Sequence, residues 1–382
     1  MTRFEFATAQ RIVFGPGVLA EAADLALALG RRPLLVTGRD SARSQGLLEQ
    51  LLAKGLQPTR FALAGEPTLE EVRTGSAQAR ADQADLVIAF GGGSALDGGK
   101  AIAALALNEG DPLRYLEVIG QGQPLRQRPL PCIAIPTTAG TGSEVTRNAV
   151  LGAPDQGVKA SLRHPWMLPA VALVDPCLTL GAPPELTAST GLDALTQLIE
   201  PYLSTRANPM TDALCLEGIR RAARSLNRAW AQGDDLAARE DMALASLLGG
   251  LALANAGLGA VHGLAAPLGG MTRVPHGVAC AVLLPHVLEA NLRACPPGAP
   301  ALARFGELAR LLTGQAEAVP LDGVRWVQRL VAGFRLPGLG HYGLDVADLE
   351  RVAERGLAAS SMKANPVPLS REALVAILAK AI

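Results

Sequence analysis

Short apolar runs alternate with helix-period stripes through the first half of the chain. Residues 11–14 (RIVF) read as a strand, followed by the turn Gly15-Pro16-Gly17 and a helix reaching Leu29. Residues 33–37 (PLLVT) form a second run, with a helix near 44–54 after it. Residues 85–90 (DLVIAF) form a third, with a helix over 94–107, and 132–136 (CIAIP) and 171–174 complete the set. Strands alternating with helices predict a parallel sheet with helices on both faces. The pattern changes after Asp175-Pro176. From Pro183 to Ile382 the period is helical, with breaks expected at Pro201, near Gly233, at Pro275, at Pro296-Pro297 and around 338–340. No strand run longer than about four residues stands out there. The predicted organisation is an α/β domain over residues 1–182 and an all-α domain over residues 183–382, and a cleft between two such domains is the default place for a ligand.

Composition narrows the function classes. The 382 residues carry 35 basic and 35 acidic side chains, a formal net charge of zero, whereas a nucleic-acid binder would show a basic excess. With 49% hydrophobic residues the chain can offset the entropy lost on folding. The five cysteines, Cys132, Cys177, Cys215, Cys280 and Cys295, are scattered, odd in number and without a CxxC pair. Free thiols in a reducing compartment are expected. The first residues lack the apolar run of a signal peptide, so the expected location is the cytoplasm. Residues 243–270 are uncharged and long enough to span a bilayer. They are rich in Gly and Ala and include Asn255 and His262, which favours a helix buried all round in a helical domain and no membrane partner.

Two loops and one set of side chains could carry chemistry. Gly91-Gly92-Gly93-Ser94 follows the 85–90 strand and opens a helix. Glycines let the backbone approach a ligand, and a helix N-terminus offers N–H groups and a positive dipole end to a pyrophosphate. The segment is neither a Walker A loop nor GxGxxG, and a plain glycine-rich turn is the alternative. Residues 137–144 (TTAGTGSE) follow the 132–136 strand and offer hydroxyls at the sheet edge where ligands bind in open α/β folds. Taken alone, such a loop is usually a satisfied turn. In the helical half, Asp193 and Gln197 are four apart and share a helix face, and His262 and His276 are two of only five histidines. Two imidazoles, a carboxylate and an amide oxygen suit Fe²⁺ or Zn²⁺. On spacing alone, a satisfied core histidine remains the commoner reading.

At these residues the sequence resembles the iron-containing (group III) alcohol dehydrogenase family. The resemblance runs through FGPG at 14–17, GGGSALDGGK at 91–100, IPTTAGTGSEVT at 135–146, GLDALT at 191–196, HGLAAPLGG at 262–270 and PHGVACAVLLP at 275–285. It implies a nicotinamide-dinucleotide-binding α/β domain, a helical metal and substrate domain, and a metal in the cleft. Carried over by position, cofactor contacts fall at Gly38, Gly92, Gly93, Ser94, Thr137, Thr138, Val150, Lys159 and Leu178. Metal ligands fall at Asp193, Gln197, His262 and His276, with Asp193, His262 and His276 counted as catalytic. The resemblance implies NAD or NADP with Fe²⁺ or Zn²⁺, a small-molecule alcohol, aldehyde or ketone as substrate, and a homo-oligomer, expected to be a dimer.

Three positions depart from the family pattern. Gln197 stands where most relatives have His, and a neutral amide oxygen is the poorer donor. Ala266 stands where many have a further His. Gly38, followed by Arg39, stands where NAD-preferring relatives often carry an Asp that would bond the ribose hydroxyls and repel a 2′-phosphate. The expected function is NAD(P)-dependent alcohol dehydrogenation or carbonyl reduction. The alternatives are a maleylacetate-reductase-like enzyme, with Arg147, Arg163 and Arg273 as candidate cleft cations, and a catalytically weakened nucleotide-binding protein.

Overall fold

A computed structural model describes residues 3–40, 42–153 and 157–382. Six parallel strands form one sheet: β1 (Arg11–Phe14), β2 (Pro33–Thr37), β3 (Thr59–Ala62), β4 (Leu86–Gly91), β5 (Cys132–Pro136) and, after a two-stranded hairpin of β6 (Asn148–Ala153) and β7 (Val158–Arg163), β8 (Val171–Val174). The order across the sheet is β1-β8-β5-β4-β2-β3. Strands buried on both faces have no need of polar alternation, which is why β2, β4, β5 and β8 read as unbroken apolar runs. Their residues still alternate between two cores. Val87 and Ala89 of β4 join the core beneath the helices Leu69–Ala81 and Gly93–Leu107, while Leu86, Ile88 and Phe90 join the core on the opposite face with Leu47 and Leu51.

The helix Gly93–Leu107 lies unusually close to the sheet because of its small residues. A Cβ on Gly99 would sit 2.5 Å from the Ala89 Cβ, and one on Gly98 would sit 2.4 Å from Leu63 Cδ1. One turn of this helix also carries a buried cation. Lys100 Nζ donates to the Ser143 carbonyl at 2.8 Å, the Asn148 carbonyl at 2.6 Å and Thr146 Oγ1 at 3.0 Å. It also faces the Asp97 carboxylate at 3.2 Å. The lysine thereby ties the loop after β5 and the start of β6 to the helix. Removing it strands buried acceptors and unpairs Asp97. Lys100→Met is expected to cost about 3–5 kcal/mol of stability, measured by urea denaturation; a loss below about 1 kcal/mol would mean the tie is not structural.

The chain divides into two compact units. One is Ala7–Thr138 with Gly142–Thr179, and the other is Leu180–Ile382 with Ala139–Thr141 and residues 3–6. The second unit is helical, with its longest helices at Pro184–Leu203, Pro209–Ala231, Leu236–Ala256 and His276–Ala294.

The structure corrects two details of the sequence reading. Pro201 does not break its helix, which runs from Pro184 to Leu203. Only Tyr202 and Leu203 follow it, so the bond it forfeits and any bend it introduces touch the last turn alone. The 243–270 segment is not one helix either. Leu236–Ala256 and Ala260–Met271 meet at 98°, with Gly257 at φ +74° turning the corner. No single described helix is long and apolar enough to cross a membrane.

Candidate functional site

In the α/β unit, the loops singled out from the sequence leave neighbouring strands at the same edge. Gly91 pairs with Pro136 across β4 and β5, and the Thr137 N–H donates to the Gly91 carbonyl at 2.9 Å. On the other side of β4, Thr37 pairs with Phe90, which sets Gly38 beside the glycine loop. Gly91 adopts φ +151°, and a Cβ there would also press within 2.7 Å of Ala95 Cβ. Glycine is therefore required on both counts. The helix beginning at Gly93 has Gly92 as its N-cap and no side-chain cap. Its N-terminal dipole end, Gly93 and Ser94 among its first residues, opens at the carboxyl edge of the sheet, which suits an anion.

The remaining candidates in this unit are more dispersed. Thr137 is buried and Thr138 half-buried. Val150 and Lys159 belong to the β6–β7 hairpin, with Lys159 ion-paired to Glu66 at 2.5 Å. Leu178 lies in the short turn after β8, and its carbonyl accepts from Arg43 at 2.8 Å. Asp97 was not singled out from the sequence, yet it organises the edge. Its carboxylate accepts from Ser143 Oγ at 2.5 Å and from the Val150 N–H at 2.8 Å. Burial pushes the Glu144 carboxyl up to about 7, against the opposing effects of its own backbone N–H and of Lys100.

In the helical unit, three helices bring four donors together. Asp193, Gln197 and Glu200 share one face of Pro184–Leu203, at spacings of four and three. His262 lies in the first turn of Ala260–Met271, and His276 opens His276–Ala294 with Cys280 one turn further on. Asp193 Oδ1 lies 3.4 Å from His262 Nε2 and 3.7 Å from His276 Nε2. Cys280 Sγ lies 3.7 Å and 3.6 Å from the same two nitrogens. All four donor atoms fall within 4.8 Å of one another. Asp193, His262 and Cys280 are buried, while the His276 side chain is 40% exposed.

Hydrogen bonds around the cluster aim its lone pairs inward. Glu200 Oε2 lies 2.6 Å from His262 Nδ1. An ionised carboxylate can only accept, so Nδ1 keeps a proton, and Nε2 is the nitrogen that can bind an ion by giving up its own. The other Glu200 oxygen accepts from the Val261 N–H at 2.7 Å, capping the helix that bears His262. Gln197 Nε2 donates to the Gly140 carbonyl at 3.1 Å, which fixes the amide with its oxygen free.

Two buried acceptors, Asp193 Oδ1 and Gln197 Oε1, make no hydrogen bond at all. Such orphans are costly unless something cationic meets them. Electrostatics agree. Burial raises the Asp193 carboxyl, but His276 and His262 outweigh it and hold it below its usual range. Burial opposes charge on His262, yet the Cys280 sulfur and the Glu200 and Asp193 carboxylates raise it well above its ordinary value. The Cys280 sulfur, against burial and with Asp193, raises His276 to about 9. The pocket is built to hold positive charge, and its donors fit a divalent ion.

Residues 9–176 match the family described as iron-containing alcohol dehydrogenase, and residues 187–382 match its C-terminal family. The chain belongs to the iron-containing alcohol dehydrogenase family. Alcohol dehydrogenase 4 of Saccharomyces cerevisiae (strain YJM789) is 40% identical over 377 residues, covering 96% of both chains. A crystal structure of 1,3-propanediol oxidoreductase superposes with a TM-score of 0.91 at 36% identity over the whole of both chains. A sulfoacetaldehyde reductase from Bifidobacterium kashiwanohense, solved with NAD⁺, gives 0.87 at 28% identity, covering 100% of this chain and 99% of its own. Members of the family use NAD(P) and a divalent metal. Glu200 and Cys280 escaped the sequence reading. Their signals were the helical spacings to Asp193 and His276, which gain meaning only once the helices are packed. Ala266, one turn beyond His262, is exposed, and of the three arginines considered, Arg163 and Arg273 are exposed, with Arg163 facing Glu117 at 3.5 Å.

Proposed function

We propose that the chain interconverts a small alcohol and its carbonyl compound with NAD(P), using residues 1–182 for the cofactor and 183–382 for the metal and substrate. The observation that carries the reading is the pair of orphaned buried acceptors, Asp193 Oδ1 and Gln197 Oε1, beside two imidazoles. Asp193, His262 and His276 would hold the ion, with the Gln197 oxygen completing the shell. A divalent ion there supplies Lewis acidity toward the substrate oxygen.

The protein's own residues orient and insulate. Glu200 fixes the His262 tautomer. The apolar walls of Pro184–Leu203 and His276–Ala294 keep water from the buried side of the site. His276, partly exposed, is the ligand on the open side of the cluster, where a substrate would approach. At the sheet edge, Gly92, Gly93 and Ser94 offer a helix N-terminus to the pyrophosphate, while Thr137 and Thr138 line the neighbouring loop. Val150, Lys159 and Leu178 complete the cofactor contacts.

The test is metal content of protein purified without chelator, together with NAD(P)H oxidation against a panel of small aldehydes. Bound metal with aldehyde-dependent oxidation is the expected result. Nucleotide binding with neither metal nor turnover would replace this reading with the weakened nucleotide-binding one. Cofactor choice adds a sharper check. Beyond its chain neighbours, no atom lies within 4 Å of where a Gly38 Cβ would be, so the backbone leaves room to begin a side chain there. The unmodified protein is expected to use NADPH at least as well as NADH. Gly38→Asp is expected to move the kcat/KM ratio toward NADH by about tenfold or more, ~1–3 kcal/mol. A strong NADH preference before mutation overturns this assignment of position 38.

A further inference from the structure

We propose that Cys280 is itself a ligand of the ion held by Asp193, His262 and His276, and that its thiolate, rather than the Gln197 amide, supplies the fourth strong bond. The proposal rests on the metal reading above and goes beyond it in the donor it names and in the class of ion it selects.

The distances between donor atoms carry the argument. A tetrahedral ion with bonds of ~2.0–2.2 Å to nitrogen and oxygen and ~2.3 Å to sulfur sets neighbouring N and O donors about 3.4 Å apart and N and S donors about 3.6 Å apart. The two O···N separations here are 3.4 and 3.7 Å. The two S···N separations are 3.7 and 3.6 Å. These four edges agree to within a few tenths of an ångström, the remaining N···N and O···S pairs lie within 4.8 Å, and the sulfur sits as near the two imidazoles as the carboxylate does.

The surroundings point the same way. Cys280 is fully buried, and it faces polar donors rather than an apolar wall. The orphaned Asp193 Oδ1 lies within 4.8 Å of the same sulfur. A neutral amide oxygen is a weaker donor than a thiolate for a borderline-soft ion, so Gln197 Oε1 adds at most a weak fifth bond. Binding sends the thiol proton to solvent. One carboxylate and one thiolate then balance the two positive charges of the ion within a buried site. This donor set favours a thiophilic ion such as Zn²⁺.

The test uses the full chain, stripped by chelator and reloaded with Co²⁺ as a spectroscopic probe, or with Zn²⁺. The cobalt form is expected to show a near-ultraviolet sulfur-to-cobalt charge-transfer band. In Cys280→Ser that band should vanish while the visible ligand-field bands remain, with affinity lower by about tenfold or more. Gln197→Leu should keep the sulfur band. X-ray absorption at the zinc edge of the unmodified protein should show one sulfur at ~2.3 Å, a measurement that does not depend on any variant folding. Stoichiometric cobalt without a sulfur band, or a zinc shell without sulfur, overturns the role of Cys280 and leaves the metal reading standing. Failure to bind either ion overturns both.

Discussion

His262→Ala is expected to leave the protein folded, nearly metal-free and about a thousandfold slower in turnover, a loss of ~4 kcal/mol of transition-state stabilisation. The imidazole is buried among Asp193, Cys280 and Glu200, and its Nε2 is the donor whose direction is most firmly set. Alanine removes that donor and leaves the Asp193 and Glu200 carboxylates without the imidazole that contacts both. Elemental analysis gives metal per subunit, steady-state kinetics gives turnover, and circular dichroism establishes that the helices persist. A folded variant that keeps both metal and turnover would show that this cluster is not the reactive centre.

Glu200→Gln is the subtler change and should still be severe. The amide keeps the shape of the carboxylate, and its oxygen can go on accepting from the Val261 N–H, so the helix cap survives. The other end then becomes an NH₂ donor facing His262 Nδ1, where an acceptor stood 2.6 Å away. The imidazole must turn that nitrogen into an acceptor and move its proton to Nε2, which can no longer bind an ion. Metal affinity is expected to fall about 10–100-fold, measured by competition with a chromophoric chelator, with little change in thermal stability of the metal-free protein. Equal affinity in the two proteins would mean that the tautomer is set elsewhere.

The fold was legible where burial is uniform. The runs at Pro33–Thr37, Cys132–Pro136 and Val171–Val174 are buried at every position, so their composition alone marks their ends. The edge strand Thr59–Ala62 went unnoticed because its positions alternate between half-buried and exposed, and TRFA carries little apolar signal. The β6–β7 hairpin was missed for a related reason, since NAVLGA and VKASLR each mix exposed and buried positions. At the site, Asp193, Gln197, His262 and His276 stand out by residue type and spacing and become ligand candidates through the family resemblance, and the structure brings Asp193, His262 and His276 into one cluster. Glu200 and His262 are 62 positions apart, and only packing makes them partners. The corner at Gly257 was hidden by the even hydrophobicity on either side of it.

Three helices, Pro184–Leu203, Ala260–Met271 and His276–Ala294, each give side chains to the cluster. An ion seated there is therefore a non-covalent cross-link of the helical unit as well as a reagent. By mass action, free metal at a hundred times its dissociation constant adds ~2.7 kcal/mol to the folded state, a sizeable share of a typical domain's margin. The same linkage makes the lifetime of the chain in a cell, as well as its activity, an expected function of metal supply. Chains made under scarcity are expected to open more often and to be cleared first by proteases.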